Sequence, residues 1–217
     1  MNQISAFSYH SVPGVDVVSK AKDLNTIKAD ECAAAIWQRQ PLRSFQDWID
    51  GIAPAHLPRA RLILRPESVH KALSEIVEAT GLPSSPEQEM LVDDMSALAH
   101  MFAGVMEIPY LRLRLDVIKT NACRKFHIDA VTARLVCTYR GTGTQYGIAT
   151  PTADPARIFT VPTSSPILLR GTLWPTTPRS HLKHRSPPIE GTGQTRLVLV
   201  LDPVTEPKDE PDPKFIH

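Results

Sequence analysis

His127 and Asp129 stand one residue apart in the stretch NACRKFHIDAVTARLVCTYRG, residues 121–141. The run behind them, AVTARLVCTY, is rich in β-branched residues, so the pair sits at the mouth of a strand. Residues i and i+2 of a strand face the same side. A neutral imidazole nitrogen and a carboxylate oxygen held that way form two corners of a site for a divalent first-row metal. A second histidine from a distant strand would complete a facial triad of two histidines and one carboxylate, with the other coordination positions left open. In a chain with eight histidines a His-x-Asp arises easily by chance, so its meaning depends on what lies downstream.

Downstream is HLKHRSPPIEGTGQTRLVLVLD, residues 181–202. His184 lies far enough along for several strands of ~5–6 residues to intervene. His181 is its competitor for the distal position. Arg196 heads the apolar strand LVLVL, on the same face as Val198 and Val200. If PPIEGTG is the connection, His184 ends one strand and Arg196 begins its neighbour. A guanidinium buried there needs an anion, and a bidentate pair with a carboxylate beside the metal would supply one. Arg170 and Arg185 are alternatives for that role. Cys123, as a thiolate, would shift the preference towards zinc. Cys137 lies inside an apolar strand and reads as core, and Trp37, Trp48 and Trp174 read as packing anchors.

The elements that must position these residues change character near residue 110. Before it, ADECAAAIWQRQ has Asp30 as an N-cap and strong helix formers, and SFQDWIDGI opens on Ser44 with Asp47 three residues later, close to a capping box. PESVHKALSEIVEATGLP starts at Pro66 and stops at Gly81. SPEQEMLVDDMSALAHMFAGVME carries an apolar stripe of Leu91, Met95, Leu98 and Phe102. After Pro109 the period is two. YLRLRLDVI alternates leucines with Arg112, Arg114 and Asp116. AVTARLVCTY, RIFTVP, PILLRGTLW and TRLVLVLD follow as short strands, with GTGTQYG read as turns. Strands without helices between them imply an antiparallel sandwich or barrel.

RKFHID with TARLVCTYRG, then ILLRGTLWP, then HRSPPIEGTGQTRLVLVLD, resembles the double-stranded β-helix core of the iron(II)- and 2-oxoglutarate-dependent dioxygenases, over roughly residues 110–202. The helical half lies outside the resemblance; taken with the helix signals before residue 110 and the charged, proline-rich end EPKDEPDPKFIH, the resemblance makes an α+β protein. Residues 1–109 would be a helical N-terminal half, packed on a jelly-roll or cupin-like β-helix at 110–203, with a flexible tail at 204–217. It implies metal ligation by His127, Asp129 and His184, with the HRSPP segment favouring His184 over His181. It assigns Arg196 to the remote carboxylate of 2-oxoglutarate, Fe(II) and 2-oxoglutarate as cofactors, and hydroxylation of a small-molecule or protein substrate. The chain is also similar to a bacterial family of unknown function that shares the CRKFH-D and LWP…HRSPP segments and often lies near zinc-homeostasis genes. That likeness implies the alternative of a non-catalytic zinc-binding protein with the same ligands.

Composition narrows the field. Twenty-four basic and 23 acidic side chains leave a net charge of +1, without the electrostatic footprint of a nucleic-acid or anionic-membrane binder. No apolar run approaches the ~20 residues of a membrane span. The N-terminus lacks a basic n-region and apolar core, and three widely spaced cysteines do not make a disulfide framework. The expectation is a cytoplasmic protein with reduced thiols. Elbow, phosphate-loop, H-E-x-x-H and C-x-x-C motifs are absent. Twenty prolines, many of them after residue 150, punctuate the loops.

Overall fold

The twofold periodicity resolves into strands, but it begins earlier than the sequence pattern suggests. A computed structural model describes residues 12–176 and 181–207. Its strands are β1 (Val15–Val18), β2 (Ala34–Trp37), β3 (Ala60–Leu64), β4 (Tyr110–Ile118), β5 (Ala133–Arg140), β6 (Gln145–Ile148), β7 (Phe159–Thr160), β8 (Pro166–Arg170), β9 (Leu182–Arg185) and β10 (Arg196–Val204). The α-helices are α1 (Arg43–Gly51), α2 (Val69–Glu78) and α3 (Pro86–Met106). A seven-stranded sheet has the order β1-β2-β8-β5-β10-β4-β3 and a smaller one the order β7-β6-β9. Apart from the parallel pair β1–β2, neighbouring strands run antiparallel.

The N-terminal half is therefore not a helical unit set against the sheet, because β1, β2 and β3 are strands of the large sheet itself. The alanine-rich segment around Asp30, expected as a helix, becomes β2. Ala35 joins the core under the helices while Ala34 and Ile36 join the core between the sheets. Pairing on both edges and burial on both faces outweigh alanine's helix propensity. The expected capping box also fails to form: α1 begins after Leu42 with no side-chain cap. GTGTQYG is likewise only half turn, since Gln145 opens β6. The first eleven residues and the tail from residue 208 lie outside the described residues, and Val204, placed in the expected tail, still belongs to β10.

Two apolar layers set the site's position. Leu111, Leu113 and Leu115 of β4 and Leu197, Leu199 and Leu201 of β10 pack under the helices with Leu91, Met95, Leu98 and Phe102 of α3. Val198 and Val200 face the other way, with Val136, Tyr146, Ile167 and Leu182, between the sheets. The alternation on β4 then forces Arg112, Arg114 and Asp116 toward the inter-sheet space rather than toward the helices. A polar tie fixes helix to sheet: Tyr139 of β5 donates to Asp94 of α3 at 2.6 Å, and Arg39 holds the same carboxylate at 2.5 and 2.6 Å.

Leu199 is fully buried at the centre of β10. Leu199→Ala is expected to lower stability by about 2–5 kcal/mol through lost burial and an unfilled cavity, measured by urea unfolding.

Candidate metal centre

Residues 119–132 leave the large sheet after β4 and return to it at β5, and hydrogen bonds pin this loop along its length. The Asn121 side chain accepts from the backbone of Ile189 and Glu190 at 2.9 and 3.1 Å, and Ser186 donates to the Cys123 carbonyl at 2.9 Å. His127 and His184 then exchange backbone hydrogen bonds in both directions at 3.0 Å, forming an isolated antiparallel bridge. That pairing lays the two imidazoles side by side, ring centroids 4.6 Å apart. Beyond the bridge the chain is not a regular strand. Asp129 sits in the loop, its carbonyl accepting from Thr172 at 2.9 Å. Gly171 permits this approach, since a Cβ there would collide with the Val131 carbonyl. The same-side geometry expected of a strand is reached through one bridge and a backed loop.

His127, Asp129 and His184 each present a ligand atom, and these atoms lie within 4.8 Å of one another. Nδ1 of His127 donates to the Lys125 carbonyl at 2.8 Å, because a carbonyl can only accept. This leaves the Nε2 lone pair for the cluster. Nε2 of His127 lies 3.4 Å from Oδ1 of Asp129, and Nε2 of His184 lies 3.0 Å from Oδ2. Oδ2 is nevertheless buried with no hydrogen-bond partner among the described residues. Burial alone would raise the Asp129 pKa; the two imidazoles and Arg134 hold it far below the ordinary carboxylate range. Asp129 raises the pKa of His127, whereas burial lowers that of His184. An anionic carboxylate with a free oxygen, beside two imidazole nitrogens, is a donor set suited to a divalent first-row ion.

Arg196 lines the same cavity as His127 and His184, with Val198 and Val200 on its face. It is 1% exposed. Its Nε donates to the Thr142 carbonyl at 2.7 Å and Nη2 to the Thr138 hydroxyl at 3.3 Å, while Nη1 is buried without a partner among the described residues. Burial pushes its pKa down to about 10. Gly141, at φ +78°, makes room for it: a Cβ would stand 2.9 Å from the Thr195 carbonyl and 3.0 Å from Cγ of Arg196. His184 and Arg196 are not strand neighbours, however. β9 pairs with β6 in the small sheet and β10 with β4 and β5 in the large one, so they face each other across the inter-sheet space.

The competing residues are exposed, engaged with other groups or outside the ligand cluster. His181 is exposed. Arg170 donates to the carbonyls of Ile27, Ala29 and Asp30 and covers Trp174. Arg185 stacks on Phe126 at the cavity wall and donates to Gln145 at 2.8 Å. Cys123 borders the cavity but is outside the ligand cluster. Cys137 is buried on the helix side of the sheet, its pKa pushed up to about 12.

Sequence reasoning missed Arg134 and Asp202. Arg134 donates through Nη1 to Oδ1 of Asp129 and grips Asp202 through Nε and Nη2 at 2.6 and 2.9 Å. Asp202 has the same strand parity as Arg196, and that pattern on β10 was the available signal.

Residues 19–202 match the family described as protein of unknown function, DUF1826. No curated protein matches the sequence. Among solved structures, a dioxygenase for auxin oxidation from Arabidopsis thaliana in a 2-oxoglutarate complex aligns with TM-score 0.55 and 10% identity, over 95% of this chain and 98% of that one. A dioxygenase for auxin oxidation from rice aligns with TM-score 0.51 and 10% identity, over 92% and 84%. At these identities the likeness is one of fold: the two-sheet jelly-roll architecture is shared.

Arg134→Met would leave the buried Asp202 carboxylate without its bidentate partner. The expected cost is about 3–5 kcal/mol in urea unfolding. Adding Asp202→Leu should recover most of it, which distinguishes an orphaned charge from lost packing.

Proposed function

The chain belongs to the DUF1826 family, and from that premise we propose that it is an Fe(II)- and 2-oxoglutarate-dependent oxygenase that hydroxylates a C–H bond. The observation that carries this reading is the pairing of two unfilled groups in one cavity. One is the His127–Asp129–His184 cluster with the free Oδ2 of Asp129. The other is the buried Arg196, with an unused Nη1 and no carboxylate among its hydrogen-bond partners in the described residues. A cation site and an anion site held together suit a metal-chelating diacid. A metal carrier would need only the first, and gives Arg196 no purpose.

When bound, Fe(II) supplies the activation of O2 that couples decarboxylation of 2-oxoglutarate to substrate oxidation, one oxygen atom ending in succinate and the other in the hydroxylated product. The protein's part is positional. His127 and His184 offer Nε2 lone pairs, with His127 fixed in tautomer by the Lys125 carbonyl. Arg134 occupies Oδ1 of Asp129 and leaves Oδ2 for the ion. Arg196 receives the remote carboxylate of 2-oxoglutarate on its free edge. Val136, Val198 and Val200 line the cavity and keep the local dielectric low, which strengthens that pairing.

His127→Ala is expected to abolish Fe(II) and Zn(II) binding in calorimetric titration. Arg196→Met should retain metal affinity and weaken 2-oxoglutarate binding by about 2–5 kcal/mol, read from the visible charge-transfer band of the anaerobic iron complex. Absence of 2-oxoglutarate binding to the iron-loaded wild type would reject the oxygenase reading and leave a metal-binding protein.

A further inference from the structure

Arg114 is a second guanidinium in the same cavity, half-buried, and the proposed reaction leaves it unused. It lies opposite Val200 on the inner face of the sheet. Its Nε atom is buried, with no hydrogen-bond partner among the described residues. Among the described residues its one ion pair is long, Nη2 to Oδ2 of Asp202 at 3.6 Å. That carboxylate is already taken at 2.6 and 2.9 Å by Arg134. Asp116, two residues along the same face, acts on it only through space, with no ion pair between them among the described residues.

We propose that the primary substrate carries a carboxylate and that Arg114 receives it; this rests on the oxygenase reading above. Two arguments select the ligand class. The first is distance. Arg196 pairs with Ile118 and Val200 with Arg114, so the two arginines are separated by four residues along the strands, roughly 13 Å at ~3.3 Å per residue. Each backbone position is far enough from the other for the two guanidiniums to take separate carboxylates. The second is charge. Four guanidiniums, those of Arg114, Arg134, Arg185 and Arg196, border the cavity with Asp116, and Asp129 and Asp202 are bound to Arg134. The dianion of 2-oxoglutarate cancels the two charges of the metal ion. Guanidiniums outnumber carboxylates around the cavity, so it favours a further anion. A planar carboxylate fits the fork of Nε and an Nη nitrogen.

The test uses Zn(II)-loaded protein with saturating 2-oxoglutarate and follows arginine Nε–H and valine methyl resonances by NMR. The Arg114 signal is identified by its loss in Arg114→Lys. Acetate is the probe because it carries the carboxylate and almost no shape. The expected result is a saturable shift of the Arg114 Nε–H and of the Val136 and Val200 methyl groups. Acetamide should produce none, and in Arg114→Gln the methyl shifts should be lost while 2-oxoglutarate still binds. A folded Arg114→Lys with weakened acetate binding serves if the glutamine variant does not fold. Equal shifts with acetamide, a stronger response to inorganic phosphate, methyl shifts that persist without Arg114, or no saturable shift would overturn the proposal. Failure of 2-oxoglutarate itself to move the Arg196 Nε–H signal is a separate outcome, and it would reject the oxygenase reading instead.

Discussion

Arg134 stands between the end of β10 and the carboxylate of the candidate metal cluster, and the geometry of the cavity depends on that bridge. Its Nε and Nη2 close a bidentate pair with Asp202, and its Nη1 reaches Oδ1 of Asp129. Asp202 is 2% exposed on the most buried strand of the molecule, so the guanidinium inherits a rigid base. Asp129, which sits in a loop, is thereby held almost as a strand residue would be. A loop carboxylate left to itself would spread over several rotamers, and ordering it would cost binding energy.

The same reasoning explains why the inter-sheet space can hold so much charge. Burying a guanidinium is costly unless it is paired and hydrogen-bonded. Arg134 meets that condition fully, Arg196 partly and Arg114 least. The helices make the arrangement possible. They occupy the outer face of the large sheet with leucines, so the polar positions of β4 and β10 have only the cavity to face. The tie of Arg39 and Tyr139 to Asp94 fastens α3 to β5, the strand that carries Arg134 near its start.

Much of this was legible in the chain. The leucine alternation of β4, the apolar run of β10 and the helical stripe of α3 are local patterns, because the periods 2 and 3.6 are set by backbone geometry alone. Residue types with metal-ligand chemistry are equally visible, and so is an arginine at the head of an apolar strand. Alanine-rich β2 was not legible. Its strand state comes from pairing with β1 and β8 and from cores on both faces, and none of these is encoded within the segment.

By itself, then, the sequence determined most of the strands after residue 110, the residue types with metal-ligand chemistry and the apolar face on which Arg196 would lie. Tertiary structure decided that His127 and His184 meet through one bridge between distant segments. It also decided that Arg196 faces His184 across two sheets rather than beside it, and that Arg134, Asp202 and Arg114 share their cavity. The physical reason is that periodicity specifies which way a side chain points relative to its own strand. What it points at depends on strands brought alongside from elsewhere in the chain, and pairing order leaves no local signature.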